Sequence, residues 1–215
     1  MRAVGVVIKT YLSHFFFFRM PFILRLALAY LVLHVAIAVT AQTDSIRWVT
    51  VAKADSLREA GSTRPFYVYL QTEWCTFCRE EERTTFCDSE LVAYVNAHFT
   101  AVWFNSEDTA RVRFNGKVYQ RRFCDGFLLN EFAYDISHKN VHFPGNVYLL
   151  PDGAYFASSG GYQSAYQLLT CLSYLAEAHY RTQTFDTYRD TYRPPSWRGK
   201  RGGVSGTMRR TNPQK

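Results

Sequence analysis

Two cysteines at a spacing of three residues constrain this sequence most. Cys75 and Cys78 stand in the motif Trp74-Cys75-Thr76-Phe77-Cys78. The run Phe66–Leu70 just before it is aromatic and β-branched, which predicts a buried strand. Residues 79–86 contain no helix breaker and are rich in acidic side chains near their start, as the first turn of a helix favours. The pattern therefore predicts a strand, a short loop and a helix that the cysteine pair opens.

That placement gives the two cysteines different chemistry. Side chains three residues apart on a first helical turn are able to close a disulfide. The unpaired backbone N–H groups and the helix dipole there lower the pKa of the first thiol. We therefore expect Cys75 to be the attacking nucleophile and Cys78, one turn deeper, to resolve the mixed disulfide. Trp74 is expected to provide an apolar ledge beside the sulfur.

Two other interpretations of the cysteine pair remain open. A zinc half-site uses the same spacing, but a structural zinc site needs a second Cys/His pair, and none follows at a suitable distance. A purely structural disulfide would close too short a loop to stabilise the chain much. Redox activity is the interpretation that we favour, and no metal site is expected.

The three remaining cysteines have no recognisable spacing. Cys171 lies in an apolar helical segment and is expected to be a buried small hydrophobic residue. Cys87 and Cys124 could form a disulfide in an oxidising compartment, which would attach a polar insertion near residues 105–125 to the rest of the domain. Because five cysteines are present, at least one thiol stays free in any pairing.

The N-terminal residues predict export. Residues 26–39 are almost unbroken apolar sequence, which is short for a bilayer span of roughly 20 residues. The small residues Val39 and Ala41 suit signal peptidase cleavage before Gln42, and Met20 is a possible alternative start. Residues 1–41 are therefore interpreted as a signal peptide, and the protein as periplasmic or secreted. An uncleaved segment, and with it membrane attachment, is the alternative.

The basic charge of the chain is concentrated at its ends. Of 25 basic residues, four lie in residues 1–41 and seven in residues 193–215, where there is no acidic residue. Residues 42–192 then hold 14 basic and 18 acidic residues, so their net charge is −4. A globular part with this charge offers no basic groove, and no nucleic acid is expected as a partner. Residues 193–215 are rich in Gly and Arg, which predicts a basic flexible tail.

The remaining segments complete one α/β domain over residues 42–192. Helices are predicted over residues 44–60, 130–136 and 163–180 and after the cap Asp88, and strands over residues 98–104 and 146–150. Pro151-Asp152-Gly153 predicts a turn into a further antiparallel strand. A short hairpin is expected around Asn115-Gly116. Parallel strands joined by helices, with a terminal hairpin, predict a mixed central sheet with helices on both faces.

These motifs together resemble the thioredoxin superfamily, and within it the exported thioredoxin-like proteins of bacteria. The residues that carry the resemblance, within roughly residues 46–192, are Trp74-Cys75 with Cys78-Arg79, Thr85-Phe86, Leu91-Val92-Ala93-Tyr94, His98-Phe99, Phe143-Pro144 and Gly161-Tyr162-Gln163. The resemblance implies a thioredoxin-like fold, a cis peptide before Pro144, and a substrate chain that pairs with the backbone of Phe143 as an added strand. Substrate binding is thus assigned to Trp74, Phe143 and Pro144.

The resemblance has one departure. Thioredoxins carry a buried acid six residues before the first cysteine, and Tyr69 stands there in this sequence. Glu73 and Glu80 are the candidate substitutes.

The sequence thus predicts a protein-disulfide reductase or isomerase that works outside the cytoplasm without a bound cofactor. It would exchange electrons between an unidentified redox partner and cysteine-containing protein substrates. The alternative is a non-catalytic thioredoxin-fold module that binds peptides at the Phe143 edge.

Overall fold

The computed structural model describes residues 45–194. The predicted signal peptide at residues 1–41 and nearly all of the predicted tail at residues 193–215 lie outside this part. In order along the chain, its helices and strands are α1 (Val51–Glu59), β1 (Phe66–Gln71), α2 (Thr76–Thr84), α3 (Ser89–His98), β2 (Thr100–Asn105), β3 (Val112–Phe114), β4 (Lys117–Tyr119), β5 (Arg121–Cys124), β6 (Phe127–Asn130), α4 (Glu131–Ile136), β7 (Gly145–Leu149), β8 (Tyr155–Gly160), α5 (Ala165–Ala176) and α6 (Phe185–Thr191).

A mixed sheet of four strands, in the order β2-β1-β7-β8, forms the centre of the domain. β1 and β2 are parallel, and the crossover between them contains α2 and α3. β7 pairs antiparallel with both β1 and β8. Helices pack on both faces of this sheet, as the sequence predicts, and the observed fold is the expected mixed α/β architecture.

The two faces of β1 pack into different parts of the core. Tyr67 and Tyr69 point into one cluster, which also contains Cys75, Cys78 and the apolar side chains of α3 and α5. Phe66, Val68 and Leu70 point into a second cluster with α1 and α4. All six residues of β1 are buried. The strand that leads into the cysteine motif is thus fixed from both sides.

The first helix is shorter than the sequence predicts. Residues 45–50 are not helical, and Val49 forms a parallel bridge with Val102 of β2. Helix α1 begins only after Thr50, whose side chain accepts a hydrogen bond from the backbone N–H of Lys53. The apolar spacing of residues 46–51 therefore reflects packing of an extended segment rather than a helical face.

The predicted insertion forms two hairpins between β2 and α4. The first hairpin pairs β3 with β4 and turns at Asn115 and Gly116, both with positive φ, as expected for this sequence. A second hairpin, which the sequence does not predict, pairs β5 with β6 and turns at Asp125 and Gly126. Asn130 ends it, caps α4, and donates through its side chain to the carbonyl of Ala110 at 2.9 Å.

None of the helices within residues 45–194 is long and apolar enough to cross a membrane.

Candidate active site

Cys75 and Cys78 are joined by a disulfide at the start of α2. Their sulfurs are bonded and their Cα atoms are 5.3 Å apart. Cys75 is the N-cap residue of α2, and the backbone N–H of Cys78 donates to the Cys75 sulfur at 3.0 Å. An N–H aimed at this sulfur stabilises negative charge on it once the disulfide opens. This is the geometry that the sequence predicts for the attacking cysteine.

The exposed fractions of the two cysteines differ only slightly in this oxidised form. Cys75 is 4% exposed and Cys78 is 1% exposed. Both pack in the core cluster that contains Tyr67 and Tyr69. The order of exposure agrees with a nucleophilic Cys75 and an inner Cys78, and the roles themselves stay predictions.

An apolar rim surrounds the disulfide. The Trp74 side chain is 58% exposed, and its ring meets the ring of Phe143 edge-on, with centroids 5.7 Å apart. The indole N–H donates to a carboxylate oxygen of Glu107 at 3.2 Å, which fixes the ring. Phe77, on the outer side of α2, is 66% exposed. The contact between Trp74 and Phe143 brings two of the predicted substrate-binding residues together.

Pro144 is buried directly before β7, and the peptide bond between Phe143 and Pro144 is cis, as expected. Phe143 packs on the cluster that contains both cysteines. Its side chain therefore links the loop before β7 to the core cluster in which the disulfide lies. Contact between Pro144 and the Cys75 sulfur stays a prediction.

Tyr69 contacts the cysteine helix directly. Its hydroxyl donates to the carbonyl oxygen of Cys78 at 3.2 Å, and burial raises its pKa far above the usual value. The two acids that the sequence suggests as substitutes at this place lie elsewhere. Glu73 is exposed, and Glu80 pairs with Arg83 at 2.7 Å on the outer side of α2. Neither carboxylate is buried beside the disulfide.

The buried acid of this site is instead Glu81, which the sequence analysis does not single out. Glu81 lies one turn after Cys78 on α2 and is fully buried. Its Oε1 accepts hydrogen bonds from the side chain of Asn146 and from the backbone N–H of Gln163, at 3.4 Å and 3.3 Å. Its Oε2 has no hydrogen-bond partner. Burial raises the pKa of Glu81 to about 7, although the two N–H donors partly counteract the effect.

The helical spacing of the acid explains its position. Residues at i and i+3 lie on the same face of a helix, so Cys78 and Glu81 point to the same side of α2. The signal in the sequence is therefore the acid three residues after the inner cysteine. Its neighbours Glu80, Glu82 and Arg83 hide this signal, because such a run usually marks a solvated face.

The other cysteines are separate free thiols. Cys87 is exposed, and Cys124 and Cys171 are half-buried. The possible disulfide between Cys87 and Cys124 is therefore absent from this structure. Cys171 is less buried than expected, and desolvation raises the pKa of its thiol. Across residues 45–194 no three metal-ligating side chains converge, so no candidate zinc site stands beside the disulfide.

Residues 54–176 match the family model of the thioredoxin-like domain. This match covers more than half of the chain. The chain belongs to the thioredoxin-like family. The matched residues include the Cys75–Cys78 disulfide at the start of α2 and the cis peptide bond before Pro144. For this thioredoxin-like protein, the family and the Cys75–Cys78 disulfide together support thiol–disulfide oxidoreductase activity in general, and the catalytic roles of the two cysteines stay predictions.

Solved structures with similar folds are distant in sequence. A thioredoxin-fold protein from Helicobacter pylori is 14% identical, with a TM-score of 0.49 over 70% of this chain and 93% of that one. A thioredoxin from Thermus thermophilus is 19% identical, with a TM-score of 0.43 over 60% and 85%. The oxidoreductase DsbH is 15% identical, with a TM-score of 0.41 over 61% and 86%. No curated protein matches the thioredoxin-like chain.

Proposed function

We propose that this protein is a protein thiol–disulfide oxidoreductase that acts on cysteines of exported proteins. The observation that carries the proposal is the Cys75–Cys78 disulfide at the start of α2, with a backbone N–H aimed at the Cys75 sulfur. The apolar rim of Trp74 and Phe143 supports a protein substrate, because an unfolded chain offers apolar side chains on either side of its cysteines. Export rests on the predicted signal peptide at residues 1–41.

In the reducing direction the reaction has two exchange steps. The Cys75 thiolate attacks a substrate disulfide; a bond forms between Cys75 and one substrate sulfur, and the other substrate sulfur leaves as a thiolate. Cys78 then gives up its proton and attacks the Cys75 sulfur, so the Cys75–Cys78 bond forms and the second substrate sulfur leaves. The substrate gains two electrons and the cysteine pair loses two. A redox partner with a dithiol then reduces the Cys75–Cys78 disulfide, and the partner's dithiol is oxidised to a disulfide.

Single replacements of the two cysteines test this proposal. Cys78→Ser should still attack but not resolve, so mixed disulfides with protein substrates accumulate on non-reducing electrophoresis. Cys75→Ser should trap nothing and should lose reduction of an unfolded disulfide-bonded protein. Cys87→Ser serves as the matched control, because this exposed thiol lies outside the redox pair. If Cys75→Ser keeps its turnover, the oxidoreductase proposal is wrong and a peptide-binding module replaces it.

Export needs a separate measurement. The protein would be produced in a bacterial host with an intact export pathway, and the mass of the recovered chain would be measured. Cleavage before Gln42 gives a chain of residues 42–215 in the exported fraction. A full-length chain in the cytoplasm would contradict the proposed location without touching the chemistry of the cysteine pair.

A further inference from the structure

Cys78 gains a proton when the disulfide opens and loses it when the disulfide closes, and the Cys78 side chain is buried. Cys78 is 1% exposed in the oxidised form. A thiolate in such a place is costly unless a neighbour stabilises it or accepts its proton. When Cys78 resolves a mixed disulfide, its thiol proton must pass to a group close by. The nature of that group decides how fast resolution proceeds at neutral pH.

Glu81 is placed to be that group. It follows Cys78 by one helical turn on the same face of α2, and both side chains are buried. The unpartnered Oε2 of Glu81 is free to bind a proton, since both hydrogen bonds to the carboxyl are made through Oε1. Tyr69 contacts the Cys78 carbonyl and interacts electrostatically with Glu81, which shows that cysteine and acid share one neighbourhood.

Asn146 holds the carboxyl in position from the opposite side. Its amide nitrogen donates to Glu81 at 3.4 Å, and its amide oxygen accepts from the Tyr67 hydroxyl at 2.6 Å. The hydroxyl fixes the amide so that its N–H side faces the acid. An N–H donor stabilises the carboxylate over the neutral acid, and Asn146 therefore makes Glu81 a stronger acid than burial alone would allow.

We propose that Glu81 exchanges the proton of Cys78 during disulfide formation and opening, and that Asn146 is the positioning residue that tunes this exchange. The proposal rests on the proposed function in that Cys75 and Cys78 form the redox pair. During resolution the Glu81 carboxylate takes the Cys78 proton, the Cys78 thiolate attacks the Cys75 sulfur, and the substrate leaves as a thiolate. During opening the neutral Glu81 returns a proton to the Cys78 thiolate.

Among the described residues, the charged group that acts on Glu81 is Glu82, and the tyrosines around Glu81 are neutral near pH 7. Glu82 of α2 raises the pKa of Glu81, and Tyr67 and Tyr69 of β1 and Tyr148 of β7 interact with it electrostatically. The segment before α5 contributes the uncharged backbone N–H of Gln163. No ion pair of the described residues includes Glu81. Because these tyrosines titrate far above neutral pH, an inflection near pH 7 would report on Glu81.

The resolution step can be followed alone with a small aromatic disulfide, 5,5′-dithiobis(2-nitrobenzoate). The chain, with Cys87, Cys124 and Cys171 replaced by Ala, is first reduced with a small dithiol, which is then removed. Cys75 then releases one coloured thiolate on attack, and Cys78 releases a second on resolution. The rate of the second phase is measured between pH 5 and pH 9. In the otherwise unchanged chain it should rise through an inflection near pH 7, where Glu81 becomes a carboxylate.

Three variants then separate a proton-exchange role from a structural one. Glu81→Gln keeps both hydrogen bonds at Oε1, and it should slow the second phase at least tenfold at pH 7.5 and remove the inflection. Glu80→Gln, on the outer side of the same helix, should behave like the parent chain. Asn146→Ala should move the inflection to higher pH, and Tyr67→Phe should move it less in the same direction.

The outcomes distinguish this inference from the proposed function. If the parent chain shows no second phase, the redox pair fails, and the proposal for Glu81 fails with it. If the second phase is present but Glu81→Gln keeps both its rate and its inflection, only the role of Glu81 is wrong. If Asn146→Ala slows the second phase but leaves its inflection at the same pH, the positioning role of Asn146 is likewise wrong.

Discussion

The Tyr69 hydroxyl donates a hydrogen bond of 3.2 Å to the carbonyl oxygen of Cys78. Tyr69 belongs to β1, whose residues are all buried, and Cys78 belongs to α2. The bond therefore attaches the first turn of the redox helix to the central strand beneath it. The Tyr69 side chain occupies the space below Cys78. The buried acid of the site, Glu81, belongs to α2 and not to β1.

Tyr69→Phe should lower the free energy of unfolding of the oxidised protein by about 1 kcal/mol, because it removes one buried hydrogen bond and little volume. Urea unfolding of the oxidised chain measures this change. Tyr134→Phe is the matched control, since its hydroxyl bonds to Asp125 at the surface and should contribute less. An equal loss in both variants would contradict a special contribution of the Tyr69 bond.

The stability of the protein should depend on pH through Glu81. Its pKa is raised from 4.5 to about 7 by burial, so the folded state binds more protons than the unfolded state between these values. Stability is then fully present below about pH 4.5 and falls as pH rises towards 7, by about 1 kcal/mol per pH unit. Glu81→Gln should flatten this part of the profile. A wild-type profile that rises over this range in chemical denaturation, while the variant is flat, would contradict the raised pKa.

Gly160 should be required for the loop that precedes Pro144. A Cβ atom at Gly160 would lie 2.4 Å from the Cβ and Cγ atoms of His142, which is closer than non-bonded atoms approach. Gly160→Ala should therefore displace His142 and the adjacent Phe143, and cost about 1–3 kcal/mol of stability as an overpacked site does. Thermal unfolding and reduction of a protein substrate measure the two effects.

Removal of the obstructing side chain provides the control for that prediction. The double variant Gly160→Ala, His142→Gly should recover most of the stability and turnover that Gly160→Ala loses. His142→Gly alone defines the cost of a more flexible loop. No recovery in the double variant would show that Gly160 acts through another contact.

Trp74→Ala should weaken the binding of protein substrates more than the binding of small substrates. The exposed ring stands against Phe143 at the edge of the disulfide, where an unfolded chain is expected to bind. We expect the KM for an unfolded disulfide-bonded protein to rise several-fold, and exchange with a small dithiol to change little. Val118→Ala, also exposed but on the insertion, is the control. Equal effects on both substrates would place Trp74 in the chemistry rather than in binding.

The sequence predicts the elements that carry the redox pair because their signals are local. A buried aromatic run, a Cys-x-x-Cys spacing and the turn Pro151-Asp152-Gly153 each specify their own structure, and the strands and turns form as predicted. The burial of Glu81 is not predicted because its hydrogen-bond partners, Asn146 and Gln163, are distant in the sequence. Within the local run of charged residues, only its spacing of three residues from Cys78 distinguishes it from Glu80.

The predicted start of the first helix, at residue 44, is wrong for a related reason. Residues 46–50 have apolar side chains at a spacing that fits a helix, but Val49 pairs with Val102 more than fifty residues later. A long-range strand contact of this kind overrides the local pattern. The second hairpin is missed because its four-residue strands are too short for their alternation to stand out, and Phe123, Phe127 and Leu128 are exposed.

The two hairpins between β2 and α4 are held differently. Phe114 and Tyr119 of the first are buried in the core cluster that contains Phe66, whereas Phe123, Phe127 and Leu128 of the second are exposed. The base of both hairpins is held by Asn130, which binds the backbone of Ser106, Asp108 and Ala110. The exposed side chains of the second hairpin belong to neither core cluster, whereas Cys75 and Cys78 are buried in the first. Changes at the exposed tip of the second hairpin should therefore leave the surroundings of the Cys75–Cys78 disulfide unchanged. This tip is a place where the surface of the protein can vary independently of its cysteine chemistry.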